Sequence, residues 1–396
     1  MSTPAVLIAA LTARALTASA RRAGFAPLVV DAFGDEDTRE RAAAFIQLSE
    51  VTRVGFRARP LLAALEALAE KAPQPPLGLV LGSGFEDTPK LVATLARRFP
   101  LAGSSSEAIA RAKDPASFFP LLDRLGIAHP ETQLDPPHDP RGWLSKRIGA
   151  SGGAHVLPCE VVKTHRGRYC QRRMDGVPVS LLAVAARGTM HVVGFSRQWT
   201  AGGAVRPYRY AGAAGPAVLG PAIEGPMTMA AQSLCRELSL VGLASFDFIL
   251  ENGIPYLLEV NPRPGATLDV FDDEDGALFQ AHLDASQDRP VKLALPGTAR
   301  ATGVVYADAA SLTVGSVHWP DWAADRPLPG THVPRYRPVA TVFAHGADAT
   351  AAELNCRRRL DELAHMLYAR AGNTERTYAE VHRPGTERLG PSGQAR

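Results

Sequence analysis

The run Ser245 to Asp269, SFDFILENGIPYLLEVNPRPGATLD, constrains the fold more than any other stretch of the chain. Phe246, Phe248 and Leu250 alternate with Ser245, Asp247 and Ile249, the period-2 pattern of a strand. Glu251-Asn252-Gly253 predicts a tight turn, because Asn-Gly readily takes the positive φ values a two-residue hairpin needs. Tyr256 to Val260 is rich in β-formers and predicts the return strand. The ribbon would carry Asp247 on one strand, and Glu259 and Asn261, two residues apart, on one face of the other.

Two carboxylates and an amide oxygen brought together form a hard-oxygen site. That donor set suits Mg²⁺, which takes one or two carboxylates and fills its shell with water and phosphate oxygens. Arg263 follows between Pro262 and Pro264, which fix φ and remove backbone donors, so its guanidinium sits on a stiff segment. A rigid arginine beside a metal suits a carboxylate or a developing phosphoanion. Acids on a strand most often just face solvent. Here they share a segment with a buried-type Phe/Leu pattern and with the abrupt stop Asn261-Pro262-Arg263-Pro264-Gly265, which favours a site.

Asp247-Phe248-Ile249-Leu250, followed by Leu258-Glu259-Val260-Asn261-Pro262-Arg263, resembles the magnesium-binding signature of the ATP-grasp ligases. The resemblance implies that Asp247, Glu259 and Asn261 hold magnesium, two ions, between the phosphates of ATP. It also implies that Arg263 stabilises an acyl-phosphate intermediate, as the catalytic residue.

Composition bounds the rest. A chain of 396 residues predicts two or three domains, since single cores stop growing near roughly 250–300 residues. Its formal charge of +3, from 43 basic and 40 acidic residues, argues against nucleic-acid or membrane partners, which call for clustered charge. No apolar run reaches the roughly 18 residues of a membrane span. Cys159, Cys170, Cys235 and Cys356 form no C-x-x-C pair and read as idle thiols in a reducing compartment, so a cytoplasmic location is expected. Arg14, Arg21 and Arg22, with no acid in the first 30 residues, have the composition of a transit peptide, but the segment reads better as folded structure.

Ala5 to Ala10 predicts a buried strand, Thr12 to Ala23 a helix ended by Gly24, and Pro27 to Asp31 a second strand with an acid at its tip. That order opens a doubly wound unit, but G-x-G-x-x-G is missing, so a Rossmann-like shell without a dinucleotide is expected. Leu61 to Lys71 and Leu91 to Phe99 predict helices and Leu77 to Leu81 a strand; Gly82-Ser83-Gly84 after it either lines a crevice at the strand's carboxyl end or, the favoured reading, forms a plain tight turn. Lys113 precedes a predicted helix, Ala116 to Leu125, where a positive charge opposes the dipole. Trp143 to Lys146 predicts a short strand running into a flap with Gly149, Ser151, Gly152, Gly153 and His155, whose glycines let backbone N–H groups approach phosphate oxygens.

The resemblance makes Lys113, Lys146 and this flap the ATP-binding elements, with Gln171 on the hinge that holds adenine. Where the family has Gln-Glu at the hinge, this chain has Gln171-Arg172. Pro226 to Leu240 predicts a helix, and Gly202-Gly203 and Ala211 to Gly215 mobile loops near the cleft. Thr267 and Asp269 are candidates for the acceptor-substrate site, and Asp272 to Asp275 a solvated helix start. Strands over 303–307, 313–319 and 339–343 and a helix from Thr350 to Arg370 would follow. The expected organisation is a Rossmann-like domain over 1–105, an ATP-grasp core over 106–290, a small C-terminal α+β domain over 297–375, and a polar tail over 376–396; the fold class is α/β and α+β.

The resemblance implies a carboxylate–amine ligase acting on small molecules, with a homo-oligomer left open. Within the family the Asn261-to-Asp269 segment looks closest to ligases joining glutamate to an amine, such as the tyramine–glutamate ligase of methanofuran-type cofactor synthesis. Two alternatives stand beside it, a carboxylase working through carboxyphosphate and a catalytically silent nucleotide-binding subunit.

Overall fold

The structure is a computed structural model describing residues 3–203, 205–293 and 297–370. The tail expected over 376–396 lies outside the described residues, as does the end of the unit expected over 297–375.

The N-terminal segment forms a five-stranded parallel sheet in the spatial order Ala44–Gln47, Ala26–Asp31, Ala5–Ala10, Leu79–Leu81 and Leu101–Ala102. Ala5–Ala10 is buried at every residue, as a continuously apolar parallel strand must be when helices cover both faces. The helices Arg14–Arg22, Ala58–Ala69 and Pro89–Ala96 provide that cover. The doubly wound shell is as expected. The strand Ala44–Gln47 and the helix Glu36–Arg41 had no expectation behind them, because both are short and one is almost wholly charged.

A second sheet has eight strands, in the order Ile254–Asn261, Gly242–Glu251, Val177–Ala186, Thr189–Thr200, Tyr210–Gly215, Ala299–Tyr306, Pro338–Gly346 and Ala323–Ala324. One face packs on the helix Pro221–Glu237 and on Phe118 and Phe119 of the helix Pro115–Leu125. The other face meets the N-terminal unit through the helices Arg14–Arg22 and Ala277–Ser286. The sheet runs unbroken across the boundary expected near 290–297: Ala299–Tyr306 pairs with Tyr210–Gly215, and the helix Ala349–Arg370 covers that end. A third sheet, Thr132–Gln133, Arg168–Arg172, Trp143–Arg147 and Leu157–Pro158, carries the glycine-rich loop.

Four expectations need correction. Ala211 to Gly215 is not a mobile loop but a buried strand, whose Gly212 leaves room for Trp199; a Cβ there would lie 2.2 Å from the indole. Asp272 is not solvated: it is 1% exposed and paired with Arg22. Most of 313–319 is irregular, with only Leu312–Thr313 forming a strand. Lys113 precedes the helix Pro115–Leu125 as expected, but it also ends an unexpected helix, Ser106–Lys113, whose dipole its charge complements, so the dipole mismatch seen in the sequence is offset. Propensity missed the first helix because Asp114, the cap of the next, breaks the run.

All four cysteines are free and buried, and the Sγ atoms of Cys159 and Cys170 lie 3.2 Å apart. No helix among the described residues is long and apolar enough to cross a membrane.

Candidate active site

The hairpin forms as its sequence requires. Gly242–Glu251 pairs antiparallel with Ile254–Asn261, and the turn residues Asn252 and Gly253 have φ of +53° and +78°. The register sets Asp247 directly opposite Glu259, and Ser245 opposite Asn261. Residues facing each other across a ladder share a sheet face. The side chains therefore converge: the Asn261 amide nitrogen donates to Asp247 Oδ2 at 2.8 Å and to Glu259 Oε1 at 3.3 Å.

Lys113 reaches this group from its helix end. Its Nζ donates to Glu259 Oε2 at 3.1 Å and to Asn261 Oδ1 at 2.8 Å, and its side chain is only 6% exposed. Burial alone would raise the Glu259 carboxyl, but the charges of Lys113 and Lys146 outweigh it and hold Glu259 well below the ordinary range. Asp247 is shifted upward, first by burial and then by the Glu259 charge, against a 2.6 Å hydrogen bond donated by Ser180. Gln198 adds a 3.3 Å bond to the same Asp247 oxygen.

The donor chemistry fits a hard divalent cation. Asp247 is strained by a like charge that such an ion would neutralise, and a half-turn of the Asn261 amide puts its oxygen between the carboxylates. The described residues contain no group of three or more His, Cys, Asp and Glu able to hold a metal. Two carboxylates and an amide match instead an ion that completes its shell with phosphate oxygens and water.

Arg263 lies beside this set and is anchored from the N-terminal unit. Its Nε donates to Glu86 Oε1 at 2.8 Å, while Glu86 Oε2 accepts from the backbone N–H of Gly84 at 2.8 Å and of Phe85 at 3.0 Å. The Gly82-Ser83-Gly84 turn thus does more than reverse the chain: it presents two N–H groups to a buried acid. The sequence reading passed over Glu86. The available signal was an acid just past the carboxyl end of a buried parallel strand, where open α/β sheets build their sites.

Lys146 lies on the third sheet, cross-strand from Tyr169. Its Nζ donates to Gln171 Oε1 at 2.5 Å, and Gln171 Nε2 donates to Thr132 Oγ1 at 3.1 Å. Gln171 therefore orients Lys146. Burial lowers the Lys146 ammonium to about 8. The loop after it bends at Gly149, Gly152 and Gly153, all at φ near +70°, with Ser151 half-buried between them. It is docked, since Gly152 accepts a 3.0 Å bond from Tyr210 N, and a Cβ on Gly153 would lie 1.9 Å from the Tyr208 carbonyl oxygen. His155 closes the loop by accepting from Arg147 N at 3.1 Å. Burial lowers it to about 4, so it is neutral near pH 7.

Thr267 is buried, and its hydroxyl has no hydrogen-bond partner among the described residues. Asp269 is committed elsewhere, receiving two bonds from Arg14, which also pairs with Asp325. That cluster ties three parts of the chain together, and its Asp325 member was not visible from the sequence.

Residues 112–267 match the model of the ATP-grasp domain. The chain is 26% identical over 225 residues to the carbamoyl phosphate synthase large chain of Myxococcus xanthus, a match covering 51% of this chain and 21% of that one. The chain thus spans about a fifth of the length of the curated relatives it matches. Among solved structures, N5-carboxyaminoimidazole ribonucleotide synthetase from Thermus thermophilus superposes with a TM-score of 0.66 at 17% identity, over 91% of this chain and 98% of that one. The biotin carboxylase domain of the Hydrogenobacter thermophilus 2-oxoglutarate carboxylase, solved with MgADP, ADP and bicarbonate, gives 0.64 at 12% identity, with 86% of each chain covered. The fold is that of the ATP-grasp proteins.

Proposed function

We propose that this chain is an ATP-dependent carboxylate–amine ligase. A substrate carboxylate oxygen attacks the γ-phosphorus of ATP, the bond to the ADP oxygen breaks, and an acyl phosphate forms. The amine nitrogen then attacks the acyl carbon, loses a proton and expels inorganic phosphate, leaving an amide. The observation that carries this reading is the single hydrogen-bonded group of Lys113, Glu259, Asn261 and Asp247, set beside an arginine held by a buried acid.

In this reading Lys113 and Lys146 receive the phosphate oxygens, the loop over Gly149, Ser151, Gly152, Gly153 and His155 closes over them, and Gln171 keeps Lys146 in place. Arg263 stabilises the charge that develops on the transferred phosphoryl group and the acyl oxygen. Asp247, Glu259 and Asn261 would hold Mg²⁺, which when bound would supply charge neutralisation for the phosphates. Closing the loop excludes water that would hydrolyse the acyl phosphate. Arg172 is exposed on the hinge side, so its side chain is turned to solvent and adenine recognition would rest on backbone groups.

Glutamate and an amine such as tyramine are the substrates proposed from the Asn261-to-Asp269 segment. A carboxylase reading, with bicarbonate in place of the organic acid, draws support from the two carboxylation enzymes that share the fold. ADP and phosphate release separates the possibilities. Release that needs glutamate and rises with tyramine supports the ligase, while release driven by bicarbonate alone moves the chain to the carboxylases. ATP binding without turnover across acids and amines would overturn both and leave a silent nucleotide-binding subunit.

A further inference from the structure

A second cavity, of about 400 Å³, opens at the C-terminal end of the eight-stranded sheet between Arg300, Asp321, Trp322, Phe343, His345 and Arg359. Its volume is in the range of small-molecule sites. Ladder pairing shows which face its strand residues occupy. Gln198 lies opposite Ala213, Ala213 opposite Thr302, and Thr302 opposite Phe343, while Arg300 lies opposite His345. Arg300, Phe343 and His345 are therefore on the face that carries Gln198 and its partner Asp247, while Arg359 reaches the cavity from the helix Ala349–Arg370, which packs on the opposite face. Five strand spacings separate the strands of Asp247 and Phe343, roughly 24 Å. It is not a lobe of the site described above.

Its charges are unbalanced. Arg14, Arg209 and Arg263 are buried or half-buried and each pairs with a carboxylate. Arg300 and Arg359 are also half-buried, but among the described residues they bond only to main-chain carbonyls: Arg300 to those of Asp269 and Asp272 at 3.2 and 3.0 Å, and Arg359 to that of Phe343. Carbonyl contacts aim a guanidinium without neutralising it, and a half-buried cation favours a counter-charge. Asp321 supplies one acid at the rim against two arginines. Arg359 also lies over the Trp322 ring, 5.3 Å from its centroid, which fixes the fork beside an apolar wall. Burial and the two nearby guanidinium groups shift His345 downward, so the cavity is positive without it.

We infer that this cavity is a binding site for an organic oxyanion, a phosphate or carboxylate on a ring-sized apolar body, gripped by Arg300 and Arg359 against Trp322. The guanidinium forks match the paired oxygens of either group, and the indole covers the apolar part. The inference stands independently of the ligase reading, since the cavity shares no residue with the proposed ATP site.

Calorimetric titration of the full chain with phenyl phosphate, inorganic phosphate and benzyl alcohol tests it. Phenyl phosphate should bind, inorganic phosphate more weakly, and benzyl alcohol not measurably. Arg359→Gln should weaken phenyl phosphate by roughly tenfold or more. His345→Glu, at an exposed side chain whose replacement leaves the fold intact, should do the same by adding a negative charge. Lys146→Met, in the ATP site, should leave the affinity unchanged. No binding of phenyl phosphate at millimolar concentration would overturn the inference. So would affinity that survives both cavity variants, or binding lost in Lys146→Met, which would place the probe among the ATP-site residues.

Discussion

Replacing Glu86 by glutamine tests whether Arg263 is held rigidly from the N-terminal unit. Glu86 is 5% exposed, and both its oxygens accept: Oε1 from Arg263 and Oε2 from two backbone N–H groups. Glutamine has the same shape but offers one acceptor and one donor, so its amide hydrogens must face either the guanidinium or the backbone donors. Removing one partner of a buried ion pair costs about 3–5 kcal/mol. Arg263 keeps a 3.3 Å bond to the Pro264 carbonyl and a side chain 13% exposed, which places the loss near the lower end, about 3 kcal/mol.

Urea unfolding of both proteins measures that loss. ADP release measures the consequence for chemistry, where a misplaced guanidinium should lower kcat by roughly 100-fold and leave the KM for ATP nearly unchanged. Acid supplies a further check. Burial would raise the Glu86 carboxyl, but the charges of Arg263 and Lys113 outweigh it and hold it below its ordinary 4.5. A depressed carboxylate stabilises the fold above the unfolded-state value, and that contribution is lost as pH falls toward the folded-state value. The stability gap between wild type and variant should therefore narrow below pH 4.5. An unchanged unfolding midpoint with unchanged kcat, or a change confined to the KM for ATP, would refute the reasoning.

Glu259→Gln should abolish magnesium-dependent ADP release while far-ultraviolet circular dichroism stays that of the native protein, because a charged ligand is lost with almost no volume. With Lys146 held at about 8, calorimetry should show ATP affinity falling as pH rises through that value, and Lys146→Met should remove the dependence. Gly153→Ala sets a Cβ against the Tyr208 carbonyl at a φ of +70°, so the loop cannot dock; weaker ATP binding with an intact fold is the expected result. Gly253→Ala, at a φ of +78° in the hairpin turn, should cost about 1 kcal/mol in urea unfolding without changing the metal dependence.

Patterns that are local and periodic were readable in the chain itself. The hairpin with its Asn252-Gly253 turn, the buried strand Ala5–Ala10 and the strand carrying Lys146 follow from side-chain alternation, turn chemistry and unbroken apolar runs, each of them local in the chain. Opposing Asp247 to Glu259 needed more: counting back from the turn sets Asp247 against Leu258, and a bulge between Asp247 and Phe248, which no local pattern announces, brings Glu259 into register. The misread elements are those whose state is set by distant partners. Tyr210–Gly215 has a loop's composition, but it is a strand because Thr189–Thr200 and Ala299–Tyr306 flank it and Trp199 fills the space its glycine leaves. Asp272 has a surface composition, but Arg22, 250 residues earlier, makes it a buried ion pair.

The sequence alone determined which residue types share the hairpin: two acids, an amide and an arginine, a donor set whose chemistry was legible before any coordinate. Only the tertiary structure decided what holds that set in place. Glu86, 177 residues before Arg263, reaches it because the N-terminal sheet packs against the second, and Lys113 meets Glu259 only because its helix ends beside the ribbon. The physical reason is range: alternation and turn geometry act between neighbours in the chain, whereas an ion pair depends on distance through space and leaves no periodic trace in either partner's surroundings.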